Sequence, residues 1–117
     1  PQIKSKIRQK QREMASSRMM QEVPDATVVI TNPTHIAIAI KYEQGGDGAP
    51  IVVAIGVDNV AMKIKEIANA HDIPIIENKP LARLIYKELD LGSEIPADMY
   101  EAVAEILALV YKLKKRK

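Results

Sequence analysis

Thr27-Val28-Val29-Ile30-Thr31-Asn32-Pro33-Thr34-His35-Ile36-Ala37-Ile38-Ala39-Ile40-Lys41-Tyr42 reads as two β-like runs around one tetrapeptide, Asn32-Pro33-Thr34-His35. The first run, residues 26–31, is β-branched after its first residue and has the pattern of a buried strand. In the second, Ile36, Ile38, Ile40 and Tyr42 alternate with Ala37, Ala39 and Lys41. That is period two, with one face of large residues and one of mostly small ones. Pro33 has no N–H to give to a ladder, so the chain must stop or turn between the runs.

Working outward, residues 43–50 hold three glycines and a proline and read as a flexible surface loop. Ile51–Ile55 is a third strand, closed by Gly56. Asp58 is placed to cap a helix with the stripe Val60, Ile64, Ile67 and Ala68. Ile73–Ile76 is a short fourth strand, and strand–helix–strand in this order predicts a right-handed crossover with strands three and four parallel. Pro74 places the fourth strand, or its start, where no donor is needed. Asn78-Lys79-Pro80 opens a helix with Asn78 as cap, the stripe Leu81, Leu84, Ile85 and Leu89, and Gly92 as its end. Residues 93–96 lead into a last helix with Met99, Val103, Ile106, Leu107 and Val110 inward. Before all of this, residues 1–22 are rich in Gln, Lys, Arg and Met and read as a long polar connector helix, ended by Val23-Pro24-Asp25. Its weak stripe of Ile3, Ile7, Met14 and Met19/Met20 would lean on the body only at the Met end. The expected fold is α/β, a mixed four-stranded sheet surrounded by about four helices.

The 117 residues suffice for one core, which must be aliphatic because Phe and Trp are absent. The absence of cysteine excludes disulfides and thiolate-bound metal. No apolar run reaches the ~18 residues of a membrane span, and residues 1–22 lack the apolar core of a signal peptide. A chain that begins with Pro1 reads as a piece of something longer. The net charge of +2 divides unevenly: +4 in residues 1–22, −7 in 23–111 and +5 in 112–117. Basic ends on an acidic body suit an anionic lipid surface, an acidic partner or nucleic acid. The tails lack interleaved aromatics, which makes nucleic acid the weaker of these readings.

Gly56 before a helix has no second glycine or lysine to make a phosphate loop, and Asp58 would repel an anion. His35 and His71 are the only imidazoles, too few for a zinc site without cysteine. His71-Asp72 reads as a solvent-facing pair between a helix and a strand. There is no serine elbow or paired-carboxylate motif, and no cofactor is expected.

Asn32-Pro33 is different. An ordinary asparagine loses its amide when the next backbone N–H attacks the side-chain carbonyl. Pro33 closes that route. The reverse attack stays open: the Asn32 side-chain nitrogen attacks its own backbone carbonyl carbon, forming a cyclic imide and freeing Pro33 as a new N-terminus. Asn59, Asn69 and Asn78 precede Val, Ala and Lys and lack this restriction. A turn anchored by two strands can hold the near-attack geometry. His35 is a candidate proton carrier and Thr34 a candidate for fixing the turn or bonding the developing oxyanion. Cleavage within minutes to hours corresponds to a barrier of about 21–23 kcal/mol.

Asn32-Pro33-Thr34-His35 resembles the signature of the FlhB/YscU/SpaS family of type III secretion export-switch proteins. The flanks are similar too: Arg8-Gln-Lys-Gln-Arg-Glu-Met14, Arg18-Met-Met20, Val23-Pro24, Pro80-Leu81-Ala82-Arg83, Ile95-Pro96 and Tyr100 to Leu107. The likeness covers nearly the whole chain, with no departure at the four signature positions, and residues 45–48 look like a variable insertion point. It implies a cytoplasmic domain, residues 23–112, joined by the connector 1–22 to a membrane domain absent here and followed by a basic tail, 113–117. It implies that the domain cuts itself between Asn32 and Pro33, keeps both pieces, and takes part in switching export from early to late substrates, flagellar before injectisome. Asn32 would supply the attacking amide, Pro33 the leaving nitrogen, Thr34 and His35 support. Implied partners are other export-apparatus proteins, a ruler protein and export substrates, at the cytoplasmic face of the bacterial inner membrane. The alternatives are a non-cleaving protein-binding module of a virulence secretion system and a nucleic-acid-binding domain.

Overall fold

A computed structural model describes residues 18–43, 45, 46 and 48–115. Most of the connector helix expected over 1–22 lies outside these residues; residues 18–22 are helical and run into a 3-10 turn, Val23–Asp25.

The alternation at 36–42 and the β-branched run before it form a hairpin. Strand β1 (Val28–Asn32) pairs antiparallel with β2 (Ile36–Lys41), from Val28 opposite Ile40 to Asn32 opposite Ile36. The Thr27 side chain extends the ladder by one step: its hydroxyl accepts from the Tyr42 N–H at 2.9 Å and donates to the Tyr42 carbonyl at 3.1 Å. Strand β3 (Ile51–Val57) pairs antiparallel with β2, running two residues beyond the expected stop at Ile55. Helix α1 (Asp58–Ala70) then carries the chain to β4 (Ile75–Glu77), which pairs parallel with β1. The order is β3-β2-β1-β4, so β3 and β4 point the same way but are separated by the whole hairpin. Pro74 sits just before β4 at the sheet edge, where its carbonyl accepts from the Val29 N–H at 2.9 Å. Helix α2 (Lys79–Glu88), a 3-10 turn (Ala97–Met99) and helix α3 (Tyr100–Lys115) complete the fold.

The two faces of the sheet differ as the alternation requires. Val28, Ile30, Ile36, Ile38, Ile40 and Val52 pack with Leu81 and Ile85 of α2, Met99 of the 3-10 turn, and Val103, Leu107 and Val110 of α3. Val29, Ala37, Ala39 and Ala54 form the other face, against Ala61, Ile64 and Ala68 of α1 and Met19 and Val23 before the sheet. Alanines on both sides let α1 lie close to the strands. Val52 and Ala54, two apart, join opposite clusters because the register slips between them, leaving Val53 as the extra residue of a bulge.

The free edge of β3 is covered. Val52 donates to Ser93 and accepts from Gly92, while Ile95 donates to Pro50. Unpaired edges invite pairing with other chains, and this strap closes one.

Several expectations shift. Asp58 is not a side-chain cap: Val57 holds the N-cap position, no side-chain cap bond forms, and Asp58 takes φ 50° as the first helical residue. Its N–H donates instead to the His35 carbonyl at 2.9 Å, and that contact with the turn sets its backbone. Helix α2 stops at Glu88, with Gly92 (φ 85°) in the turn beyond. Leu84, expected inward, is 39% exposed, because Leu81, Ala82 and Ile85 already form the buried face. The buried stripe of α1 is Ala61, Ile64 and Ala68, with Val60 and Ile67 at its margins. Asn78 caps α2 as its position predicts, its Oδ1 accepting from the Leu81 N–H at 3.1 Å.

Gly56 is required by packing rather than by conformation. A Cβ there would overlap Cγ1 of Val60 and lie 2.7 Å from its Cβ, and a branched side chain this close to the helix backbone cannot swing aside. Gly56→Ala therefore destabilises by about 1–3 kcal/mol in denaturant unfolding. Adding Val60→Ala recovers part of the loss; an undiminished loss in the double variant would rule out this clash.

Candidate functional site

The tetrapeptide lies where β1 leaves the core. Asn32 is the last residue of β1 and only 7% exposed, held by pairing with Ile36. Pro33, Thr34 and His35 form the turn, and the His35 N–H donates to the Asn32 carbonyl at 2.9 Å. This closes a four-residue β-turn. The oxygen it binds belongs to the Asn32–Pro33 peptide bond. A donor already on that oxygen polarises the carbonyl and stands where charge would develop if the carbon were attacked.

The turn is fixed from outside as well. Asp58 donates its N–H to the His35 carbonyl, and the Lys65 ammonium donates to the Pro33 carbonyl at 2.6 Å. On the strand side, the Asn78 N–H donates to the Thr31 carbonyl at 2.9 Å, tying the residue before Asn32 to the start of α2. Thr34 is exposed, and the donor to the Asn32 carbonyl is the His35 backbone rather than the Thr34 hydroxyl. The His35 ring is 68% exposed, with Nδ1 3.6 Å from an oxygen of the 74% exposed Asp58 carboxylate. That separation is too long for a direct hydrogen bond, and two solvated groups at this distance attract only weakly. The four residues singled out in the sequence are thus contiguous on one turn, and the structure adds Asp58 and Lys65 to them.

His71 follows α1 and is exposed, with Asp72 beside it at φ 57°. Among the described residues no three His, Cys, Asp or Glu side chains gather as a metal site would require. No helix among them is long and apolar enough to cross a membrane.

A shallow apolar groove of about 560 Å³ lies away from the turn, lined by Tyr42, Pro50, Tyr100, Val103, Leu107 and Tyr111 among others. Burial there, with Tyr42 adding repulsion once both rings are ionised, raises the Tyr111 phenol above its usual 10.0. A raised folded-state value means that the neutral phenol is favoured by folding. Its contribution is complete below pH 10 and is lost as pH rises through the folded value. Tyrosinate absorbance should show a late-titrating group that Tyr111→Phe removes, and the variant should lose less stability than the parent at alkaline pH.

The family model described as "FlhB HrpN YscU SpaS Family" matches residues 1–110. The flagellar biosynthetic protein FlhB of Bacillus subtilis is 54% identical over 116 residues, which is 99% of this chain and 32% of that protein. The chain thus spans about a third of the length of the curated relatives it matches. The crystal structure of the cytoplasmic domain of FlhB from Shewanella putrefaciens superposes with a TM-score of 0.81 at 44% identity, covering 86% of this chain and 78% of that one. The EscU C-terminal domain with an asparagine replaced by alanine gives 0.75 at 37% identity, covering 79% and 92%. The same domain with the following proline replaced by alanine gives 0.74 at 37% identity, covering 78% and 90%. Sequence likeness over both sides of the Asn32–Pro33 bond and a shared fold lead to one assignment: this chain belongs to the FlhB HrpN YscU SpaS family.

Proposed function

We propose that this chain is the self-cleaving switch domain of a type III protein-export apparatus, flagellar in kind, and that it cuts itself between Asn32 and Pro33. The observation that carries the reading is the donor from His35 N–H to the carbonyl oxygen of that one bond, at 2.9 Å, in a turn anchored at both ends. The Asn32 carboxamide is covalently placed to close a five-membered ring on the same carbonyl carbon. Attack forms the bond from Nδ2 to C and breaks the bond from C to the Pro33 nitrogen. One proton leaves Nδ2 and one arrives at Pro33, so no co-reactant is consumed. Support also comes from the EscU domains altered at an asparagine and the proline after it. Asn32-Pro33 is the one Asn–Pro pair in this sequence.

The reaction is a single intramolecular turnover. Its product would keep residues 18–32 in place, because β1 lies between β2 and β4 of the other piece. Membership in the export apparatus, contact with its other components, a ruler protein or export substrates, and a place at the cytoplasmic face of the inner membrane belong to the same proposal. So do the connector 1–22, the domain 23–112 and the basic tail 113–117. Intact mass spectrometry tests the central step. The expected fragments are 1–32 and 33–117, their masses summing to the whole chain while the imide persists and to one water more after it opens. A chain that stays whole, or breaks elsewhere, overturns the reading.

A further inference from the structure

Lys65 was invisible as a functional residue in the sequence, yet it makes the shortest hydrogen bond to the turn. Its ammonium lies 2.6 Å from the Pro33 carbonyl oxygen, a charge-assisted contact. The residue is half-buried and follows the fully buried Ile64, and Ala61, Ile64 and Ala68 fix the helix beneath it. Pro33 has φ set by its ring, so ψ is its one free backbone torsion. A donor rooted in a packed helix and holding the carbonyl oxygen removes that freedom too.

We propose that Lys65 is a positioning residue for the cut, an inference that rests on the self-cleavage reading above. It holds the leaving residue against α1 while the Asn32 carbonyl carbon moves toward its own carboxamide. Asp58 N–H on the His35 carbonyl holds the next step of the turn to the same helix. The departing side of the bond is therefore clamped to α1, and the attacking side to the sheet.

Lys65 also brings a cation to the residue whose nitrogen must accept a proton. A positive charge there opposes protonation of the Pro33 nitrogen, so if that were its whole effect its removal would speed cleavage. A positioning role predicts the opposite sign.

The test follows pulse-labelled chains by denaturing electrophoresis. Lys65→Met, which preserves the aliphatic stem, is expected to slow the appearance of the two fragments roughly tenfold, the low end for loss of a hydrogen bond from a charged donor. Lys65→Arg retains a charged donor and recovers part of the rate. In an Asn32→Ala background, where no cut occurs, Lys65→Met is expected to lower the melting temperature only by the few degrees that one lost hydrogen bond costs, and Ile85→Val, a similar loss of stability in the core away from the turn, is expected to cut at the parent rate. The inference is overturned by a Lys65→Met rate equal to or faster than the parent, by Lys65→Arg no better than Lys65→Met, or by equal slowing in Ile85→Val, which would show that lost stability alone slows the cut. Parent chains that split while Lys65→Met splits equally fast sink only the role of Lys65. Parent chains that never split sink the self-cleavage reading and this role with it.

Discussion

Asn32→Ala chains are expected to stay whole on denaturing electrophoresis for days at neutral pH, while the parent resolves into two pieces. The substitution deletes the nucleophile and touches little else. Asn32 is buried at the end of β1, and its pairing with Ile36 uses backbone groups that alanine also has. A well-oriented intramolecular attack has an effective molarity of roughly 10⁵–10⁸ M, so the loss should be at least about a thousandfold. Cleavage of Asn32→Ala at the same bond would mean that a water or another residue attacks. The fragment masses distinguish these cases in the parent protein. Water attack gives the hydrated pair from the outset, whereas cyclisation passes through a dehydrated N-terminal piece. His35→Ala should slow the cut without abolishing it. The donor to the Asn32 carbonyl is the His35 backbone N–H, which survives the substitution, and the ring is 68% exposed, where water can replace it as proton carrier. An unchanged rate would leave the imidazole with no part in the chemistry.

The proposed attacking and leaving groups were legible in the sequence because one residue type singles out both. Proline's missing N–H singles out Asn32 from the other asparagines without any knowledge of the fold. The hairpin was equally legible, since isoleucine alternating with alanine at 36–40 prescribes a thick and a thin face, and the structure builds both. Lys65 was not, because its partner is a backbone carbonyl 32 residues earlier in the chain. No periodicity records a contact of that kind, and a lysine beside a buried isoleucine reads as solvated. Asp58 was misread for a related reason. An aspartate before an apolar helical stripe has the composition of a cap, but here a long-range bond from its own N–H sets its backbone first. Strand order was also beyond local pattern. The sequence implies that strands three and four run parallel, but two strands stand between them, and that gap makes β1 interior.

The interior position of β1 leads to the second large effect: the cut protein should unfold as a two-chain complex. Its melting temperature should rise with protein concentration, whereas that of Asn32→Ala should not, because strand loss and global unfolding then involve separation of two molecules. What resists separation is burial. Val28, Val29 and Ile30 are fully buried between β2 and β4, and Met19, Val23 and Ala26 of the same piece are buried with the α1 face. Ile30 is the sharpest probe because it packs in the larger cluster, beneath α2 and α3. Ile30→Ala removes buried methyl groups and leaves a cavity at a cost of about 2–5 kcal/mol. In the uncut chain that appears as an ordinary loss of stability. In the cut protein the same loss weakens the association of the pieces roughly 30- to 4,000-fold, so dilution or mild denaturant should release the N-terminal piece. An exposed substitution on the same piece, Glu22→Ala, should change neither quantity appreciably. If the cut and uncut proteins melt alike at every concentration, unfolding does not separate two pieces and the two-chain reading fails. If they differ as expected, one strand serves two purposes: its last residue breaks the chain, and the four before it keep the break from separating the domain.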